Sequence, residues 1–412
     1  MLTSFFQLYK KAYSGLSKNS WYLSLVMFIN RSGTMVVPFM SIYTIQQLHF
    51  TIVQSGWVMA FFGIGAISGG FIGGRLTDKI GFYDIQVGAL LIGGILFLVL
   101  GYQHTFLSVS IGTFILSICN ESFRPANSTA IAHYSNDENK TRSYSLNRLA
   151  TNLGWAFGGG LGGLLASINY HLLFWVDGCT NIFAALLLLK LMPRSKIIKV
   201  VRNTGEIIKS ASAYKDGAYL IFILLSTLFG TCFFQFFIMQ PLFYKVQWHF
   251  DERFIGFLLA LNGILIVLIE MILIHNLEGR RNPLTYISVG IVVAASSFAL
   301  LNILPHTAWA AILIVTLITL GEILSMPFMN SYWIVRTTNH NRGEYAALYS
   351  MSWSAAQIIA PAVGSQIIAH GGFNLLWWVL TAVCLVSSIG YLILKKVTHA
   401  NKQASIIIEK VS

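Results

Sequence analysis

The chain is 412 residues long, 55% hydrophobic and only 10% charged, with a formal net charge of +12. Soluble domains carry about 25% charged residues, so the composition excludes an ordinary water-soluble fold and makes a bilayer the main solvent. The basic excess by itself invites a nucleic-acid role, which the placement of the basic residues argues against.

Residues 1–20 mix aromatic and basic side chains without a signal-peptide cleavage pattern. They read as an amphipathic helix at the cytoplasmic interface or as a simple lead-in. Beyond them, apolar stretches are repeatedly long enough to cross about 30 Å of hydrocarbon at about 1.5 Å per residue. Six spans are expected near 19–46, 55–77, 85–103, 106–134, 143–167 and 171–192. A hydrophilic stretch, 193–217, follows. Six more spans are expected near 218–245, 253–276, 284–304, 307–335, 344–369 and 373–395. The resulting plan is an N-terminal segment (1–18), a six-helix bundle (19–192), a linker (193–217), a second six-helix bundle (218–395) and a tail (396–412). In the linker, Lys196, Lys199, Arg202, Glu206 and Lys209 suggest a cytoplasmic surface helix.

With these spans, Lys10, Lys11, Lys18, Arg75, Lys79, Lys140, Arg142, the linker cations, Arg280, Arg281, Arg336, Arg342 and the tail from Lys395 share one side, and only Lys245 and Arg253 face the other. The bias marks the basic side as cytoplasmic and puts both termini there. A multi-pass protein of a bacterial inner membrane, acting as a monomer and without a nucleic-acid partner, is the expectation. Cys119, Cys179, Cys232 and Cys384 all fall inside spans and read as packing residues, not as a disulfide framework.

The chain repeats itself. Gln47-Leu48-His49-Phe50 recurs as Gln247-Trp248-His249-Phe250, and in the same register of 200 residues Gly56 falls on Gly256, Ala60 on Ala260, Gly63 on Gly263 and Asp78 on Glu278. Farther on, Glu121 pairs with Glu322, Pro125 with Pro327, Tyr144 with Tyr345 and Gly163 with Gly364. Duplicated halves of this kind place a substrate site near the midplane where they meet.

Between the second and third spans stands Gly74-Arg75-Leu76-Thr77-Asp78-Lys79-Ile80-Gly81. It resembles the loop signature G-x-L-x-D-[RK]-x-G of the major facilitator superfamily, although Phe82 and Tyr83 replace the usual basic pair after it. The resemblance implies an all-α membrane protein with twelve transmembrane helices in two pseudo-symmetric six-helix bundles. It also implies a cytoplasmic gate at Gly74, Arg75, Asp78 and Gly81. A solvated turn is the plainer reading of Asp78. Helix 5 carries Gly154-Trp155-Ala156-Phe157-Gly158-Gly159-Gly160-Leu161-Gly162-Gly163, which resembles the G-P-x-x-G-G stretch of drug:proton antiporters with Gly159 in place of the proline. Close helix packing explains these glycines equally well. Arg124-Pro125-Ala126-Asn127-Ser128-Thr129-Ala130 and Arg142-Ser143-Tyr144 also resemble the multidrug-exporter branch, whose earlier arginine in helix 4 is missing.

Charges inside spans are costly and mark substrate paths, proton relays or paired struts. Arg31, Glu121, Arg124, Arg148, Asp177, Glu270 and Glu322 are the candidates. Arg31 and Arg124 fall about 15 Å, and Glu121 and Glu322 about 20 Å, from the cytoplasmic ends of their helices. Those four lie on helices 1, 4 and 10, which by resemblance line the central cavity. Glu322 and Glu121 are the proton-coupling candidates, because desolvation brings a carboxyl group toward cyclable protonation. Glu121 sits three residues before Arg124 and so shares its helix face; a structural pair with Arg124 or Arg148 is the alternative. Arg148, Asp177 and Glu270 are read as structural or gating charges, with Asp177 in a hydrated position near the outer face. Asn30, Tyr43, Gln235, Gln240, Asn262, Asn330, Tyr332, Trp333, Tyr349 and Trp353 complete the candidate cavity, with Arg31, Arg124, Asn30, Tyr43, Gln235, Asn262, Asn330 and Trp353 as substrate contacts. Arginines beside aromatic walls suit zwitterionic or anionic organic molecules.

Two transport readings stand: proton-coupled efflux, by the exporter resemblance, and proton-coupled import of peptides or organic anions, although the E-x-x-E-R motif of peptide symporters is absent before Arg31. Protons are the coupling ion, and no cofactor or metal is expected. No catalytic motif supports an intramembrane enzyme, and a non-transporting receptor or lipid-handling protein is the remaining alternative.

Overall fold

The computed structural model describes residues 15–136, 139–194, 212–277, 279–337 and 341–411. Most of the expected N-terminal interfacial segment and the expected linker helix from Lys196 to Lys209 lie outside them.

Helices dominate, and their ends follow local chemistry. Ser17 caps α1 (Lys18–Ser32) by accepting the Ser20 N–H at 3.1 Å. The helix breaks at Gly33 and resumes as α2 (Val36–Gln46). Thr51 and Gln54 form a reciprocal capping box at the start of α3 (Ile52–Ile80). Gly81, at φ 98°, separates α3 from α4 (Phe82–Leu100) in a conformation that a side chain would strain. Then come α5 (Phe106–His133), α6 (Lys140–Ile168) and α7 (His171–Leu191). After a short 3-10 turn, α8 (Gly217–Ile238) and α9 (Gln240–Val246) repeat the α1–α2 pair. They are followed by α10 (Glu252–Leu277), α11 (Pro283–Ile303), α12 (Ala308–Val335) and α13 (Arg342–Val411), the last bent at Gly372, where φ is 75°.

Among the described residues, ten helical stretches are long and apolar enough to cross a membrane. The last of them, Glu344–Thr398, contains two crossings joined at Gly372. The remaining crossing is α6, which is 29 residues long but polar in its first half, with Lys140, Arg142, Asn147 and Arg148. These account for the twelve crossings expected.

The internal repeat is a repeat of backbone conformation. His49 and His249 both adopt φ 55°, outside the usual range for a residue with a Cβ. The Phe50 N–H donates to the Thr44 carbonyl at 2.9 Å, and the Phe250 N–H to the Tyr244 carbonyl at 3.0 Å.

The chain forms two compact units, one from residues 1–201 with 244–267 and the other from 202–243 with 268–412. In the first, Gly65, Gly69 and Gly73 make a stripe on α3, against which α5 lies backbone to backbone. A Cβ at Gly73 would stand 2.5 Å from the Ser122 Cα. Ser117 and Ser122 then donate to the carbonyls of Phe62 and Gly69 at 2.7 and 3.0 Å, each such contact contributing about 1 kcal/mol in a bilayer. The glycine-rich face of α6 behaves likewise. Gly154 and Gly158 lie on α1, Gly162 on Met35 and Phe39, and Gly159 and Gly163 on Leu259 and Gly256 of α10. In the second unit α11 meets α12 at Gly290 and Gly321, where a Cβ on Gly290 would lie 2.7 Å from the Gly321 carbonyl oxygen.

Candidate functional site

Within the first unit, the last turn of α1 carries Asn30 and Arg31 toward α5 and α7. Arg31 is half-buried, and its Nε is sealed from solvent with no hydrogen-bond acceptor. Its charge is felt by Glu121 and Arg124. Glu121 and Arg124 pair as their spacing predicts, Nη1 to Oε2 at 3.6 Å, with the glutamate side chain 15% exposed and the arginine 75%. A guanidinium that open, midway along a membrane helix, must face water and not acyl chains. Three charges therefore share one polar region, and one of them has a hydrogen-bonding atom to spare.

A buried ladder of amides continues from this group. Gln86 of α4 donates to the Asn127 Oδ1, and the Asn127 Nδ2 donates to the Asn147 Oδ1 of α6, each at 3.2 Å. Asn127 lies about two turns beyond Glu121 on the same helix, whereas Gln86 and Asn147 were not among the expected site residues. Gln86 was visible as an amide in an apolar stretch, and Asn147 was masked by the polar first half of α6. Arg148 lies exposed on α6.

Asp177 corrects an expectation. It is fully buried, not hydrated. The Met35 N–H donates to both its carboxylate oxygens at 3.0 Å, and the Val36 N–H to Oδ2 at 2.8 Å. A helix that breaks and restarts inside hydrocarbon leaves amides without acceptors, and this carboxylate supplies them.

Three expected substrate contacts are instead held by packing. The Asn30 Nδ2 donates to the Asn181 Oδ1 at 2.8 Å. Tyr43 is 2% exposed and packed against Tyr170 and Phe174. Gln235 donates to the Ala360 carbonyl at 2.6 Å against Gly364. The Tyr43 hydroxyl and the Gln235 Oε1 are buried without a hydrogen-bond partner among the described residues. Asn262 and Glu270 are also buried.

In the second unit the candidates form an aromatic wall. Trp353 meets Phe233, Phe234 and Tyr349 with ring centres 6.1–6.3 Å apart, and Trp333 approaches Tyr349 at 6.1 Å. The Trp333 indole donates to Asn330 at 3.3 Å. Glu322 is half-buried on α12.

At the gate motif, Gly81 performs the expected turn, and the Arg75 guanidinium lies 4.0 Å over the Phe71 ring. Asp78 is exposed and makes no hydrogen bond or ion pair among the described residues.

Two ionic clusters went unread in the sequence because each draws on helices distant in the chain. In the first unit, Lys245 and the Tyr170 hydroxyl reach the same Glu252 oxygen at 2.7 and 2.6 Å, and Tyr170 also donates to Gln46 at 3.3 Å. Burial and this carboxylate push the Tyr170 phenol well above its ordinary pKa. In the second unit Asp216 caps α8 through the Tyr219 N–H and takes a bidentate bond from Arg336 at 2.6 and 2.9 Å, with Tyr345 donating to it at 2.9 Å. Burial works to raise the Asp216 pKa. The Arg336 hydrogen bonds, with those from Tyr219 and Tyr345, outweigh it and hold the carboxyl below its usual range.

Comparison with known proteins gives relatives over nearly the full length. The "Uncharacterized MFS-type transporter YqjV" of Bacillus subtilis (strain 168) is 21% identical over 87% of this chain and 88% of its own. A "Na(+), Li(+), K(+)/H(+) antiporter" of Planococcus maritimus is 22% identical over 89% and 92%. The crystal structure of the nucleoside transporter NupG superposes with a TM-score of 0.74 at 16% identity, covering 92% of this chain and 100% of that one, a likeness of fold. The family profile described as Major Facilitator Superfamily matches residues 23–337, and with the twelve crossings and the loop motif in place, the chain belongs to the Major Facilitator Superfamily of membrane transporters.

Proposed function

We propose that the protein is a proton-coupled secondary active transporter of small organic molecules, working by alternating access, with efflux in exchange for protons as its direction. The observation that carries this reading is the Arg31, Glu121 and Arg124 group. A carboxylate paired at 3.6 Å with an exposed guanidinium, beside the half-buried Arg31 whose Nε is sealed from solvent, changes the charge of the region by one unit when it takes a proton. In a low-dielectric span that step is large enough to alter what the arginines bind. Glu322, at the corresponding place on α12, is the second proton-coupling candidate. The exporter-like motifs and a relative named as a cation/proton antiporter support export.

Import of organic anions or peptides is the second reading, favoured by Arg31 and Arg124, whose guanidinium geometry matches a carboxylate. Either way the substrate is zwitterionic or anionic, and the protein is a monomer in a bacterial inner membrane with both termini cytoplasmic.

The test is transport in proteoliposomes with an imposed pH gradient, using radiolabelled norfloxacin, 4-hydroxybenzoate and a dipeptide. Glu121→Gln and Glu322→Gln are compared with the parent chain. Loss of gradient-driven flux, with counterflow retained in at least one variant, is the expected result. Gradient-driven flux unchanged in both variants would rule out these carboxylates as the coupling groups.

A further inference from the structure

The break between α1 and α2 begins at Gly33, two residues beyond Arg31, and one face of α7 encloses it. Asp177, Thr180 and Asn181 are spaced i, i+3 and i+4, so they project from the same side of that helix. Asp177 takes the two free amides of Met35 and Val36. The Thr180 hydroxyl occupies the place a side chain on Gly33 would need. Asn181 donates to the Asp177 carbonyl at 2.8 Å and accepts from Asn30. The turn between these anchors contains Arg31. On its other side, a Cβ on Gly154 of α6 would stand 2.6 Å from the Arg31 Cβ, so the arginine backbone cannot move toward α6.

We propose that Asp177 is a positioning residue for Arg31. Its carboxylate fixes the first turn of α2, and through the short, glycine-containing segment 32–35 it fixes the turn from which the Arg31 guanidinium is presented. The physical case has two parts. Two backbone amides in hydrocarbon without an acceptor cost several kcal/mol, so the restart of the helix stays wherever a carboxylate waits for it. A negative group at the amino end of α2 is also favoured by the helix dipole. Asn181 extends the hold to Asn30, the immediate neighbour of Arg31, so the α7 face grips the chain on both sides of the arginine. The inference rests on the reading of Arg31 as a substrate-contacting residue, because only then does its placement matter to transport.

The test reads Arg31 directly and needs no substrate. The purified full-length protein is treated with phenylglyoxal, and modification of Arg31, Arg124 and Arg336 is followed by mass spectrometry in the parent, Asp177→Ala and Asp177→Asn chains. Releasing the α2 amides should raise the Arg31 rate roughly fivefold in Asp177→Ala, the size of effect a local opening produces. Arg124, paired with Glu121 on α5, and Arg336, held by Asp216, are not anchored by the α7 face and should stay within about twofold. Asp177→Asn keeps one acceptor oxygen and should give a smaller, Arg31-specific rise. An Arg31 rate that stays at the parent value, or rises only in step with Arg124 and Arg336, overturns the proposal. If Asp177→Ala fails to fold, Asp177→Asn is decided by the same comparison. Arg31→Gln in the transport assay tests the underlying reading separately: normal transport there would remove Arg31 from the site and leave the positioning result standing as a structural fact.

Discussion

Asp177 packs on the α1–α2 junction and Trp377 on α9, both fully buried, and they do opposite things. Asp177 answers the free amides of Met35 and Val36. At the corresponding junction between α8 and α9, where Pro241 has no N–H to donate, two bonds of the helical ladder carry across. The Met239 N–H still reaches the Gln235 carbonyl at 3.0 Å, and the Phe243 N–H reaches Met239 at 2.8 Å. There Trp377 stacks on Phe298 and meets Phe243 edge-on at 5.1 Å. Arg31 and Thr231 differ in the same way. The duplicated scaffold keeps its turns while the first junction is held by a buried carboxylate and the second by aromatic packing.

The hardest test of this contrast is Trp377→Asp. It removes a large buried ring and buries a carboxylate among apolar and aromatic side chains, so a loss of about 4 kcal/mol or more is expected, seen as failure to purify as a monodisperse species. Purification and melting like the parent would mean that the two junctions are interchangeable.

The next effect lies at the start of the first helix of each half. Ser17 and Asp216 both cap the first helix of their half, but Ser17 donates to the Tyr134 carbonyl at 2.9 Å, whereas Asp216 binds Arg336. Asp216→Ala should cost about 2 kcal/mol, a cap plus a half-buried ion pair, and lower the melting temperature by several degrees. The Asp216 pKa is depressed by Arg336, so its contribution is complete above about pH 5 and fades as the pH falls through the carboxylate range below about pH 4. Asp216→Asn should lose that part of the acid sensitivity in a melting profile against pH.

Glu252→Gln should be milder. It weakens the bonds from Lys245 and Tyr170 by about 1 kcal/mol and should speed hydrogen exchange in residues 246–252 without moving global melting. Smallest of all, Ser17→Ala should cost about 1 kcal/mol or less. A larger loss than for Asp216→Ala would reverse the ranking of the two caps.

Much of this molecule was legible before its structure. Twelve crossings, the repeat and the turn at Gly81 follow from apolar run length, a shared register and a glycine between two spans, because a bilayer forces every long apolar run into a helix whose backbone bonds are internal. The Glu121 and Arg124 pair was also legible, being a contact within one helix. What only the tertiary structure decided were contacts between helices. Asn30, Tyr43 and Gln235 turned toward neighbouring helices, Asp177 went to an interrupted backbone, and Lys245, Glu252 and Tyr170 converged. Helical periodicity fixes which residues share a face, but which helix that face meets depends on glycine stripes and broken turns hundreds of residues apart in the chain. For that reason the sequence by itself determined a facilitator-type transporter with charges in its spans, and packing alone determined which of those charges are free to act.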